Sequence, residues 1–149
     1  MADKTIASNR RARHDYEIVE SLEAGLVLMG SEIKSVRAGR VSLQEAFATI
    51  EGGEAWLVNA HIAPYEHAGY AGHEPRRRRK LLLHRRQIAE LGFQTRAKGF
   101  ALVPLRLYLL DGRAKLEIAL ARGKKQVDKR EAIRRRDAER EMARAARQR

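Results

Sequence analysis

The sequence predicts a mainly β protein: an antiparallel barrel or sandwich with short helices at its ends, followed by a basic tail. Three observations predict it. Short apolar runs recur from Tyr16 to Ala121 with turn residues between them. Two of the gaps are Gly52-Gly53 and Asp111-Gly112, pairs that suit hairpins because they accept the positive φ of tight turns. From Lys124 onward the apolar runs stop. The 149 residues fit one domain with an appendage. A body ending near residue 123 buries roughly two-thirds of its unfolded surface and should fold alone.

Taken in order, Tyr16, Ile18 and Val19 open a strand that leads into Glu20-Ser21. Gly25-Leu-Val-Leu-Met-Gly30 is an apolar run between glycines, the form of a short buried strand. Ser31 to Gly39 reads as a helix, with Ser31 as N-cap, Glu32 in the first turn, Arg37 late and Gly39 just past the end. Ile33 and Val36 share one face of it. Phe47-Ala-Thr-Ile50 and Ala55-Trp-Leu-Val58 flank the Gly-Gly turn as a hairpin. A second helix is expected from near Leu83 to about Leu91, with Ile88 and Leu91 facing inward and Gly92 as its stop. Leu105, Leu107 and Leu109 alternate with Arg106, Tyr108 and Leu110. Leu116, Ile118 and Leu120 then alternate with Lys115, Glu117 and Ala119 across the Asp-Gly turn. This pair carries the clearest period of two in the chain.

The expected division is a folded body over residues 1–123 and a tail over 124–149. The tail has good helix formers, no Pro or Gly, and only Val127, Ile133 and Met142 as larger apolar residues. These form no stripe, so a tail helix has no face to dock. It is expected to be disordered alone and to become helical on a partner.

Charge narrows the function. The chain has 31 Lys and Arg against 19 Asp and Glu, a net of +12. Residues 1–123 carry +6 of this and residues 124–149 the other +6. With no Cys there is no disulfide framework, no Cys-ligated zinc and no thiol nucleophile. The longest uncharged stretch is eleven residues, 55 to 65, far short of the roughly 20 that span a bilayer. Met-Ala-Asp-Lys-Thr-Ile at the start has no apolar run and is no secretory signal. The expectation is a soluble cytoplasmic protein that binds polyanions, nucleic acid first and a membrane surface second.

The densest charge is Arg76-Arg77-Arg78-Arg79-Lys80, continuing past His84 to Arg85 and Arg86. Seven of the eleven residues from 76 to 86 are formally basic and none is acidic. Like charges packed this closely call for an anion, and arginine suits bidentate phosphate contact. Arg10, Arg11 and Arg13 form a second basic group just before the first strand, either an RNA contact or a flexible basic arm. Lys34 and Arg37 surround the first helix, where Glu32 is a lone acid. Glu32 fits either a favourable charge at a helix start or an acceptor for base amino groups.

Catalytic constellations are missing. The five histidines, His14, His61, His67, His73 and His84, have no i,i+4 His partner, and no phosphate-cradling loop or nucleophile elbow occurs. His67 and His73 sit in a Gly-rich stretch expected to be a loop. No cofactor, metal or enzyme activity is expected. Two other readings stay open: a single-strand binder that stacks bases on exposed aromatics, and a metal-free nuclease using His14 or His84. With eight aromatic residues in the chain, stacking platforms are few.

Six stretches then carry a resemblance. They are Asn9-Arg-Arg-Ala-Arg-His-Asp-Tyr16, Glu23-Ala-Gly-Leu26, Gly30-Ser-Glu-Ile-Lys-Ser-Val-Arg-Ala-Gly39, Ile62-Ala-Pro-Tyr65, Arg79-Lys-Leu-Leu-Leu83, and Ala121-Arg-Gly-Lys-Lys125 followed by Asp128-Lys-Arg130. In this order the sequence resembles the SsrA-binding (small protein B) family, partners of transfer-messenger RNA in bacterial trans-translation. The resemblance implies an antiparallel OB-like β-barrel with about three short flanking helices and a basic C-terminal tail. It implies a monomer that clamps the tRNA-like domain of transfer-messenger RNA and enters stalled ribosomes with elongation factor Tu, bound indirectly through the RNA. By the resemblance the RNA face would include Glu32, Arg37, Arg79, Lys80 and His84; from the basic groups, Arg10, Arg11, Arg13, Lys34, Arg76 and Arg77 are also expected to bind RNA. The tail would fold in the empty messenger channel near the decoding centre, using Gly123, Lys124, Lys125, Asp128, Lys129 and Arg130. Position 127 is Val where many relatives carry an aromatic or His, so a stacking role does not carry over to it.

Overall fold

The computed structural model describes residues 4–65, 72–123, 136 and 138–144. The body runs β1 (Lys4–Ser8), α1 (Arg10–Asp15), β2 (Tyr16–Leu26), α2 (Gly30–Arg37), β3 (Val41–Ser42), β4 (Phe47–Glu51), β5 (Glu54–Val58), β6 (His61–Ile62), β7 (Arg79–Leu82), α3 (Arg85–Ala97), β8 (Ala101–Leu110) and β9 (Arg113–Gly123). Strands β8, β4, β5, β7, β2 and β9 lie side by side, and β9 pairs back onto β8. The sheet therefore closes into an antiparallel barrel, which satisfies the edges that an open sheet leaves unpaired. Strand β1 pairs with the second half of β8, and β3 with β6 in a small separate ribbon. This is the expected OB-like architecture.

Leu26, Val36, Leu57, Ile62, Leu81, Leu107, Leu116 and Ile118 fill the interior. A second cluster forms on the other side of the β8–β9 hairpin, where Ala12 of α1 packs on Val103, Leu105, Ala119 and Ala121. Both glycine-bearing turns are as expected, with Gly52, Gly53, Asp111 and Gly112 all at positive φ.

The departures have physical causes. β2 is one continuous strand through Leu26, not two pieces; its register shifts between Ile18 and Glu20, a bulge that leaves Val19 exposed. Gly25 does not end a strand but lets β7 approach, since a Cβ there would lie 3.2 Å from Leu82 Cβ. A bulge between Pro104 and Arg106 turns Leu105 away from Leu107 and towards α1, so the even alternation of that strand breaks. The second helix runs through Gly92 to Ala97, with Gly92 buried inside it beside Ile50. Gly99, at φ 68°, provides the stop instead. Strands β1 and β7 and helix α1 carry little apolar periodicity and are not visible in the sequence. Among the described residues no helix is long and apolar enough to cross a membrane.

Candidate nucleic-acid interface

Alternation along residues 76–80 sorts their five cations into two rows. Arg77 and Arg79 turn inward onto Glu32. Arg79 Nε donates to Glu32 Oε2 at 2.6 Å, and Arg77 Nη2 donates to Oε1 at 2.5 Å. Glu32 stands in the first turn of α2, and the Met29 N–H also donates to its Oε1, at 2.8 Å. The carboxylate thus closes the helix start, so α2 begins at Gly30 rather than being capped by Ser31. Arg79 also donates from Nη1 to Ala60 O at 2.6 Å and from Nη2 to Pro75 O at 3.0 Å. Burial pushes the Glu32 carboxyl up. The Arg77, Met29 and Arg79 donors outweigh it and hold the group below the usual carboxylate range.

Glu32 and Arg79 are both fully buried. The two side chains expected on the RNA face thus lie beneath the surface, where they tie α2 to β7 and to the loops before it. Buried ions persist only when paired and hydrogen-bonded, and here the pairing is with each other. Arg77 remains half-buried beside them.

The outward row meets carboxylates too. Arg76 Nη1 lies 3.2 Å from Glu45 Oε2 and donates at 2.8 Å to Asn59 Oδ1. Arg78 Nη2 donates to Glu51 Oε2 at 2.8 Å while its guanidinium stacks 4.8 Å over the Trp56 ring. Lys80 Nζ lies 3.2 Å from Glu54 Oε1. The basic run looked unopposed in the sequence because its counter-charges come from elsewhere in the chain, Glu45 and the ends of the β4–β5 turn.

The remaining expected cations lie on three helices, of which α1 packs on the β8–β9 side of the barrel, away from β7. Arg10, Arg11 and Arg13 are exposed on α1, which is a fixed helix rather than an arm. Buried Asn9 anchors it: Nδ2 donates to Leu43 O and Pro104 O, both at 3.1 Å, and Oδ1 accepts the Ala12 N–H at 3.2 Å. Arg11 pairs with Asp15 at 3.4 Å and Arg13 with Glu117 at 3.5 Å. On α2, Lys34 and Arg37 are exposed, with Lys34 Nζ 5.0 Å over the Tyr65 ring. His84 is exposed at the start of α3, where its N–H donates to Gln87 Oε1 at 2.9 Å, with Arg85 and Arg86 exposed after it. Sequence reasoning missed His73, which is buried: Nδ1 lies 2.9 Å from Ser31 Oγ and Nε2 2.9 Å from Ile62 O, fastening its loop to α2. His67 lies outside the described residues.

Gly123 closes β9, paired with Tyr16. Lys124, Lys125, Asp128, Lys129 and Arg130 lie outside the described residues, as does Val127. Arg136 and residues 138–144 are helical and exposed.

Comparison with known proteins adds to this geometry. The family model described as SmpB protein matches residues 6–148. The SsrA-binding protein of Desulforudis audaxviator is 57% identical over 145 residues, covering 97% of this chain and 95% of its own length. That of Thermobifida fusca is 60% identical over 146 residues, covering 98% of this chain and 91% of its own length. A solved chain described under "tmRNA-SmpB: a journey to the center of the bacterial ribosome" is 52% identical, with a TM-score of 0.66 over 78% of this chain and 82% of that one. The barrel strands β2, β4, β5, β7, β8 and β9 and the Glu32 knot lie within residues 6–148 of the family match, and the chain belongs to the SmpB family of SsrA-binding proteins.

Proposed function

We propose that this chain is a non-catalytic RNA-binding protein. It binds the tRNA-like domain of transfer-messenger RNA and delivers it to stalled ribosomes for trans-translation. The observation that carries the reading is the fixed placement of exposed cations on α1 and α2, anchored by Asn9 and by the Glu32 knot. A rigid set of cations recognises the shape of a structured RNA, where a flexible one recognises only charge. In this reading Arg10, Arg11, Arg13, Lys34, Arg37, Arg76, Lys80 and His84 contact RNA, while Glu32, Arg77 and Arg79 position them. The body of residues 1–123 holds the RNA. The tail from Gly123 through Arg130 and beyond enters the messenger channel. Elongation factor Tu joins through the RNA, and the work is done by a monomer in the cytoplasm, where ribosomes translate.

A second reading has one observation in its favour. Phe47 and Phe93 are exposed, and Phe47 shares a cleft of about 480 Å³ with Tyr16 and Phe100. Such rings suit base stacking by a single-strand binder. Capture of RNA from a bacterial lysate on the tagged full chain, followed by sequencing, separates the two. The expected product is one abundant RNA with a tRNA-like end; a broad mixture of unstructured RNA would favour the second reading.

A further inference from the structure

The carboxylates opposite the basic strand have no place in the function so far. Glu45, Glu51 and Glu54 each hold one member of the outward row, Arg76, Arg78 and Lys80 respectively. All six side chains are 43 to 65% exposed, so the pairs sit in water and not in the core. The inward row is different: Glu32 and Arg79 are fully buried and not exchangeable. The segment 76–80, a turn and loop leading into the first residues of β7, therefore carries a structural pair on one side and three solvent-facing pairs on the other.

We propose that Glu45, Glu51 and Glu54 are built-in competitors for phosphate. They occupy Arg76, Arg78 and Lys80 until an RNA is held against the strand, and so prevent that row from binding polyanions by charge alone. An exposed ion pair biases an equilibrium by about fivefold at most, so phosphate displaces each carboxylate readily once other contacts hold it close. A flexible strand that meets the protein only through phosphates has no such help. The freed carboxylates attract cations from solution, which offsets part of the counterion release that drives nucleic-acid binding.

The inference rests on the proposed RNA-binding function. Its test compares the full chain with the variant Glu45→Gln, Glu51→Gln, Glu54→Gln, which keeps side-chain size and an acceptor oxygen. The probes are an oligouridylate and a transcript of the tRNA-like domain, each titrated across salt. The variant should bind oligouridylate about tenfold more tightly at low salt, from three exposed pairs at about twofold each. Its slope of log affinity against log salt should steepen by about 2, from three single-strand phosphates at about 0.7 each. The reverse variant, Arg76→Gln, Arg78→Gln, Lys80→Gln, should flatten the slope for the tRNA-like transcript. Unchanged affinity and slope in the carboxylate variant, with both proteins binding the tRNA-like transcript, would overturn the inference and leave the function standing. If the unaltered chain does not bind the tRNA-like transcript, function and inference fall together. Thermal melting of each variant reports folding separately.

Discussion

A carboxylate without solvent contact keeps its charge only where donors replace its hydration. Glu32 takes those donors from Met29, Arg77 and Arg79. Replacing it by Gln would leave two guanidinium groups facing a neutral amide, Arg79 fully buried and Arg77 half-buried. Removing one partner of a buried pair costs about 3–5 kcal/mol. Urea unfolding of Glu32→Gln should show a loss of this order with an unchanged slope against denaturant. Acid provides a second check. The folded Glu32 carboxyl titrates below its unfolded value of 4.5, so the unfolded chain binds its proton first as pH falls. The stability it confers is complete above about pH 4.5 and is lost as pH falls through the lower folded value. The Gln variant should lack this part of the acid dependence in unfolding measured from pH 6 down to pH 2.

At the scale of elements, Asn9 makes α1 part of the body. It joins β8 and the segment before β4 with one side chain and caps the helix with the same amide. Asn9→Ala should cost about 2 kcal/mol, because a cap and two buried carbonyl partners are lost together. Hydrogen exchange of α1 should rise before that of the barrel. The β4–β5 and β8–β9 hairpins were legible in the sequence because their turns need glycine and their strands alternate. Helix α2 was legible from its charges and from Gly39, although its start was not, since a carboxylate rather than a serine closes it. The β7 strand was not legible. Arg79 occupies a core position that an apolar residue normally marks, and its partner lies 47 residues away. Distance in sequence also hid the site's second half: nothing in the local sequence sets Glu45, Glu51 and Glu54 against the basic run, which the fold does. Gly92 misled because it lies inside the helix, and the positive φ that ends it belongs to Gly99.

Across the whole molecule, the body's net charge of +6 is not one uniform field. Its densest cations are met by the protein's own carboxylates, and Arg11 and Arg13 of α1 also have acidic partners in Asp15 and Glu117. The tail's +6 is separate, and its described residues are exposed and carry no apolar stripe. Removing the tail should therefore leave the thermal midpoint of the body unchanged. The central claim is that the body alone recognises RNA while the tail acts on the ribosome. Its most direct test is equilibrium binding of the tRNA-like domain, over a range of salt, to the full chain and to a chain ending at Gly123. The expected result is that the shortened chain still binds tightly and saturably, losing only the tail's share of the salt dependence. Loss of saturable binding on removal of the tail would contradict the claim.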